Sequence, residues 1–131
     1  MLLRILVVDD HPAIRRMLHT FLELHSDWQV CGEAEDGLEA VAKATDLHPD
    51  VVIMDLDMPK LNGIEATRRI HKLIPSTRVL ILTLHENAVL SKIAQDSGAN
   101  GYVLKSEALD VLTQAIESVE RSDRFFVSAG K

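Results

Sequence analysis

Five positions in the chain carry residue types that handle phosphate and divalent cations, and each closes a short apolar run. Asp9 and Asp10 follow Arg4-Ile5-Leu6-Val7-Val8, Asp55 follows Val51-Val52-Ile53-Met54, Thr83 ends the run from Arg78, and Lys105 follows Gly101-Tyr102-Val103-Leu104. Carboxylates gathered at one point repel one another, and at least one has a raised pKa unless a cation intervenes. Mg2+ suits such a cluster, because it takes a few carboxylate or carbonyl oxygens and keeps coordination positions for waters or phosphate oxygens. With its charge so balanced, Asp55 is a carboxylate nucleophile able to form an aspartyl phosphate. A lysine and a hydroxyl aimed at the same point would position and stabilise the phosphoryl oxygens. Singly, each residue has a plainer account. Asp9-Asp10 caps a helix beginning near Pro12, Asp55 is a loop acid, Lys105 is a solvated charge, and Thr83 is a β-branched residue at a strand end. Their joint placement favours the chemistry.

Whether these residues meet depends on the elements that carry them. Short β-like runs alternate with helical patterns along the chain. After the first run, Ile14, Met17, Leu18, Phe21 and Leu22 share one helical face. A second run, Gln29 to Ala34, precedes a helix opened by Asp36, with Glu39 placed to complete a capping box, and that helix stops near His48-Pro49. After the run at Val51, a helix starts near Asn62-Gly63, faces Ala66, Ile70 and Leu73 inward, and ends at Ile74-Pro75. The fourth helix carries Leu90, Ile93 and Ala94 and closes at Ser97-Gly98; the fifth presents Leu112, Ala115, Ile116 and Val119.

The first and third runs are continuously apolar, the signature of strands covered on both faces. The fold class expected is α/β: one doubly wound, flavodoxin-like (βα)5 unit with a five-stranded parallel sheet in the order 2-1-3-4-5. Ligands of such sheets bind beyond the carboxyl ends of the strands, the edge at which all the singled-out residues lie.

Composition narrows the function further. The chain has 131 residues, enough for one domain with a real core. Its apolar runs are only a few residues long, far short of the roughly 20 that cross a bilayer. Met1-Leu2-Leu3-Arg4 offers neither a basic lead nor a cleavage site, so no signal peptide is expected. The lone Cys31 reads as a small buried hydrophobe, and a cytoplasmic location is expected. Twenty acidic residues against 14 basic ones give a formal charge of −6, which argues against nucleic acid as the chain's own ligand.

The motifs Val7-Val8-Asp9-Asp10, Met54-Asp55-Leu56-Asp57-Met58-Pro59, Asn62-Gly63, Thr83 and Tyr102-Val103-Leu104-Lys105 resemble, in order and spacing, the signature of receiver domains of two-component response regulators. The resemblance runs from Arg4 to about Val119. It implies that Asp55 is the phosphoacceptor, supplied by a sensor histidine kinase, and that Asp10, Asp55 and the Asp57 carbonyl bind Mg2+ directly, with Asp9 acting through a water. It also implies that Lys105 and Thr83 hold the phosphate and that Tyr102 is a switch aromatic, turning inward as Thr83 vacates space. The surface of the fourth helix, fifth strand and fifth helix then changes, favouring a homodimer or release of an effector domain.

Asp9-Asp10-His11-Pro12, Gly98-Ala99-Asn100-Gly101-Tyr102 and Lys105-Ser106 resemble the subfamily whose receivers precede a LuxR-type helix-turn-helix. Residues 1–122 are accordingly expected to form the receiver, and 123–131 the start of a linker toward a DNA-binding domain that regulates transcription. Many receivers have proline after the site lysine; here Ser106 stands there, where a cis bond would cost about 2.5–4 kcal/mol, and it suits an N-cap of the last helix. His85 and Asp57, each two residues beyond a site residue, are expected to border the phosphate and tune its lifetime. His11 and His85 suit zinc or copper better than an oxygen-rich site and are not expected as ligands.

Other function classes fit less well. Asp55-Leu56-Asp57 resembles the acid pair of haloacid-dehalogenase-type phosphatases, but there the nucleophile follows the first core strand. A flavin or nucleotide module needs a glycine- or hydroxyl-rich cradle where this chain has Asp9-Asp10-His11-Pro12. A pseudo-receiver would lack part of a residue set that is complete here. The chain is therefore expected to be a phosphoryl acceptor with slow self-dephosphorylation at most, and not an enzyme.

Overall fold

The computed structural model describes residues 2–58, 60–84 and 87–126. Strands and helices alternate: β1 (Leu3–Val8), α1 (Pro12–Glu23), β2 (Trp28–Ala34), α2 (Gly37–Leu47), β3 (Val51–Asp55), α3 (Gly63–Leu73), β4 (Arg78–Thr83), α4 (Ala88–Asp96), β5 (Gly101–Leu104), α5 (Ala108–Glu120) and β6 (Phe125–Phe126). All strand pairs are parallel, in the order β2-β1-β3-β4-β5-β6.

The flavodoxin-like parallel sheet is as expected, but it has a sixth strand. Phe125 pairs with Gly101 and Phe126 with Tyr102, at the edge of the sheet beside β5. A two-residue strand is too short for any periodicity to announce it. Gly101 makes the approach possible, since a Cβ there would stand 2.9 Å from the Phe125 carbonyl oxygen and 2.3 Å from Leu80 Cδ1.

The doubly covered sheet explains the apolar runs. Leu6, Val8, Val52, Met54 and Ile81 point to a core shared with Ala40, Ala44, Ala66, Ile70 and Ala94 on α2, α3 and α4. Their neighbours Ile5, Val7, Ile53, Leu80 and Leu82 point the other way, onto Leu18, Leu22, Leu112 and Ile116 of α1 and α5. Successive strand residues face opposite sides, so a strand covered twice must be apolar throughout.

Polar side chains at the helix starts set where the helices begin. Asp36 Oδ1 accepts from the Glu39 amide at 2.8 Å, and Glu39 Oε1 accepts from the Glu35 amide at 2.8 Å, a capping box displaced by one residue. Asn62 and Asn87 cap α3 and α4 in the same way. Gly98, at φ 107°, closes α4.

Three local expectations are corrected. Leu73 is 59% exposed, because Thr67 and Ile74 take the inward positions beside Ala66 and Ile70. Met17 and Ile93 are likewise exposed, at 41% and 39%. Ser106 caps nothing: a 3₁₀ turn over Lys105–Glu107 leads directly into α5, whose cap position is Glu107 and makes no side-chain bond. No cis peptide occurs among the described residues.

Candidate functional site

The carboxyl ends of β1, β3, β4 and β5 meet at one edge, and the chain there turns abruptly from strand to loop. Asp55 is the last residue of β3, Thr83 the last of β4, and Lys105 the first residue after β5. Asp9 follows β1, its amide bonded to the Ala34 carbonyl at 3.1 Å. Behind Asp55 the chain leaves toward α3 and returns against its own backbone. A Cβ on Gly63 would lie 2.2 Å from the Asp55 carbonyl oxygen, so only glycine lets α3 start there.

Asp9 and Asp55 are 1% and 3% exposed, an unusual burial for two acids side by side. Lys105 bridges them, its Nζ 2.9 Å from Asp9 Oδ2 and 3.1 Å from Asp55 Oδ1. One ammonium serves two carboxylates, and two buried oxygens, Asp10 Oδ1 and Asp55 Oδ2, have no hydrogen-bond partner. Burial first, then the neighbouring Asp9 charge, pushes the Asp55 pKa up to about 6; Lys105 and the Asp57 amide pull the other way. Burial works against the Lys105 ammonium, but hydrogen bonds to Asp9 and Asp55 outweigh it and hold its pKa above the usual lysine value.

The plainer account of the acid pair does not hold. Asp9 Oδ1 accepts from the His11 amide at 2.9 Å, and α1 starts with no side-chain cap at all. Donor atoms of Asp9, Asp10, His11 and Asp55 lie within 4.8 Å of one another, close enough to surround one ion. The two orphaned carboxylate oxygens make the cluster a fitting oxygen-donor site for a hard divalent cation.

Thr83 and Tyr102 stand next to this cluster, both buried, and hydrogen-bond each other. The Tyr102 ring is already inside, at 1% exposure, where the sequence reading had it turning inward only on switching. Burial raises its pKa, the Thr83 bond lowers it, and the charge of Asp57 raises it again. Asp57 itself has an exposed side chain at the rim. His85, expected to tune lifetime, lies outside the described residues.

Two residues matter more here than their sequence context showed. Arg15, given no role above, donates from Nη1 to the Asp9 carbonyl at 2.6 Å and pairs through Nε with Glu33 Oε1 at 3.3 Å. It stands one helical turn beyond His11, and only the fold turns that side of α1 toward the edge. His11, set aside as a ligand, places Nδ1 3.0 Å from Asp9 Oδ1 and 3.0 Å from Asp10 Oδ1.

Residues 5–117 match the family described as the response regulator receiver domain. The transcriptional regulatory protein LnrK of Bacillus subtilis is 37% identical over 118 residues, which cover 90% of this chain and 54% of LnrK. The response regulator protein VraR of Staphylococcus aureus is 36% identical, covering 96% of this chain and 60% of its own length. Among solved structures, a LuxR-family two-component response regulator from Aurantimonas superposes with a TM-score of 0.91 at 38% identity, covering 95% of this chain and 89% of that one. The response regulator domain of Thermotoga maritima CheB gives 0.88 at 36% identity, covering 94% and 99%. The chain spans 52–60% of the length of the curated relatives it matches.

Proposed function

The chain belongs to the response regulator receiver domain family, among regulators of the LuxR type, and from that membership we propose that Asp55 accepts a phosphoryl group from a sensor histidine kinase. The observation that carries this reading is the state of the Asp55 carboxylate: buried, held on one oxygen by Lys105, and unpartnered on the other.

Asp10, Asp55 and the Asp57 carbonyl would hold Mg2+, with Asp9 acting through a water. Bound there, the ion would offset the carboxylates' charge and that of the incoming phosphoryl oxygens. The chain's own residues do the rest. Lys105 orients Asp55 and stands ready to pair with a phosphoryl oxygen. A new P–O bond forms to Asp55 as the P–N bond breaks; the donor imidazole, protonated on its other nitrogen, takes the bonding pair and leaves as neutral histidine. Arg15 fixes the Asp9 backbone beside the reaction. Tyr102 keeps Thr83 within reach.

The phosphate adds charge and strong acceptor oxygens next to Thr83. Its hydroxyl then has two competing partners, the phosphate and Tyr102, and exchange between them alters the face formed by α4, β5 and α5. That exchange is a shift between two populations biased by a local charge, and it would favour a homodimer or free an effector domain. Residues 1–122 serve as the receiver and 123–131 lead toward a helix-turn-helix output domain, through which DNA is bound. Asp57 and His85 set how fast the acyl phosphate is lost by self-hydrolysis. No described helix is long and apolar enough to cross a membrane, and we place the protein in the cytoplasm.

Intact-mass spectrometry after incubation with acetyl phosphate and Mg2+ tests the reading. One phosphoryl group is expected on the parent protein and none on Asp55→Asn. Full labelling of the variant would move the acceptor elsewhere.

A further inference from the structure

The ring of His11 is the one nitrogen donor in the cluster of Asp9, Asp10, His11 and Asp55 among the described residues. Nδ1 stands 3.0 Å from Asp9 Oδ1 with hydrogen-bond geometry, and 3.0 Å from Asp10 Oδ1 without it. The Asp10 oxygen thus faces a ring nitrogen with no hydrogen directed at it. Behind it, Asp55 Oδ2 is buried and unpartnered, on a residue only 3% exposed. Asp9 is already satisfied, by the His11 amide on Oδ1 and Lys105 on Oδ2.

From this placement we infer that His11 supplies an imidazole ligand to the cluster, so that the site takes a first-row transition ion in competition with Mg2+. The inference rests on reading Asp9, Asp10 and Asp55 as a cation site, and adds which cation they prefer. The spacing suits it. Ligand atoms about 2.0–2.2 Å from a tetrahedral ion such as Zn2+ stand roughly 3.3–3.6 Å apart, and the four donors here lie within 4.8 Å of one another before any ion draws them in. The chemistry follows from ligand type. Mg2+ draws on oxygens and holds its waters, so the ring adds little to its binding. Imidazole strengthens binding of Co2+, Ni2+ and Zn2+, which already exceed hard ions in affinity for mixed nitrogen and oxygen sites. His11 reaches the ion in the tautomer with hydrogen on Nε2, and its side chain, 65% exposed, can give that hydrogen to water. The consequence is a receiver whose access to Mg2+ depends on the transition ions around it.

Calorimetric titration of the full chain with Co2+ and with Mg2+ tests this, with the visible absorption of bound Co2+ reporting nitrogen coordination. In the parent protein Co2+ is expected to bind more tightly than Mg2+ and to be displaced by excess Mg2+. In His11→Ala the ratio of Co2+ to Mg2+ affinity is expected to fall at least ten-fold, roughly the scale at which even outer-sphere partners act, and the Co2+ spectrum to lose its nitrogen signature. An unchanged ratio in the variant, or Co2+ that Mg2+ does not displace, overturns the inference. His11 makes no side-chain cap to α1, so the substitution leaves the helix start intact; His11→Gln, which keeps a hydrogen-bonding group, repeats the test if the alanine variant is unstable. Phosphoryl labelling of the parent with Mg2+ is read separately. Labelling at Asp55 with no effect of His11 on Co2+ sinks the ligand assignment alone, whereas no labelling sinks the receiver reading itself.

Discussion

Two acids buried against each other, with one lysine between them, place a charge imbalance inside the fold before any ligand arrives. Its sign can be worked out at Asp55. The folded pKa, about 6, lies above the ordinary aspartate value of 3.8. Between those values the folded protein holds a proton that the unfolded chain does not, so this residue lowers stability as pH rises through that window. In metal-free buffer, Asp55→Asn should therefore be more stable than the parent at pH 7, by about 1–3 kcal/mol, with the gain fading toward pH 4. Urea unfolding at the two pH values measures it, and a variant less stable at both would show that the carboxylate is not strained. Lys105→Met works oppositely, because it leaves Asp9 and Asp55 with no buried counter-charge, and should cost about 3 kcal/mol near neutral pH in the same assay. The acids, the threonine and the lysine were visible in the sequence because each sits where an apolar run stops. The unpartnered oxygens Asp10 Oδ1 and Asp55 Oδ2, and the reach of Arg15 and His11, were not, since they depend on distances across the sheet edge.

Helix starts and strand ends hold those side chains, and they carry their own sequence signals with uneven success. Asp36, Asn62 and Asn87 were readable or are intelligible as caps because side-chain oxygens bond to amides two or three residues ahead. The start of α5 was misread at Ser106, because the 3₁₀ turn after Lys105 shifts the helix without any local composition to mark it. Gly63 shows how a single element position reaches the site. Gly63→Ala forces a methyl to within 2.2 Å of the Asp55 carbonyl unless α3 moves; a loss of about 1–3 kcal/mol is expected, as for other overpacked positions, together with slower phosphoryl labelling. A parent-like urea midpoint would mean that α3 shifts without resistance. On the opposite flank, His19 ties α1 to β2 through Glu33 Oε2 at 2.9 Å and also faces Glu23, with Arg15 paired to the same Glu33. The Glu33 hydrogen bond raises the His19 pKa above 6.5, burial lowers it, and Glu23 adds to the rise. Its stabilising effect is complete below pH 6.5 and lost as pH climbs through the raised folded value. His19→Gln should flatten stability across that range, by less than about 1 kcal/mol because the ring is exposed and screened.

For the molecule as a whole, the two-faced sheet was legible and its extent was not. The continuous apolar runs of the first and third strands announce strands covered on both sides. The sixth strand comes from Phe125 and Phe126, a pair whose composition says only that it is apolar. Position decides its role: Phe125 packs with the core of α1 and α5, and Phe126 with the core of α2, α3 and α4. The short strand therefore closes both layers at the β5 edge, next to Tyr102, with which Phe126 is in register. A segment in that position serves stability as well as connection to the residues that follow it. If so, Phe125→Ala combined with Phe126→Ala should lower the unfolding free energy by about 2 kcal/mol, less than a fully buried phenylalanine pair because both residues are only partly buried. Arg124→Ala, beside them but outside the strand, should change it by less than about 0.5 kcal/mol. Fluorescence of Trp28, 6% exposed and stacked on His25 at 3.9 Å, follows the transition from within the α1 side of the core. Equal midpoints for the double variant and the parent would show that β6 lies against the sheet without holding it, and that the receiver ends at α5.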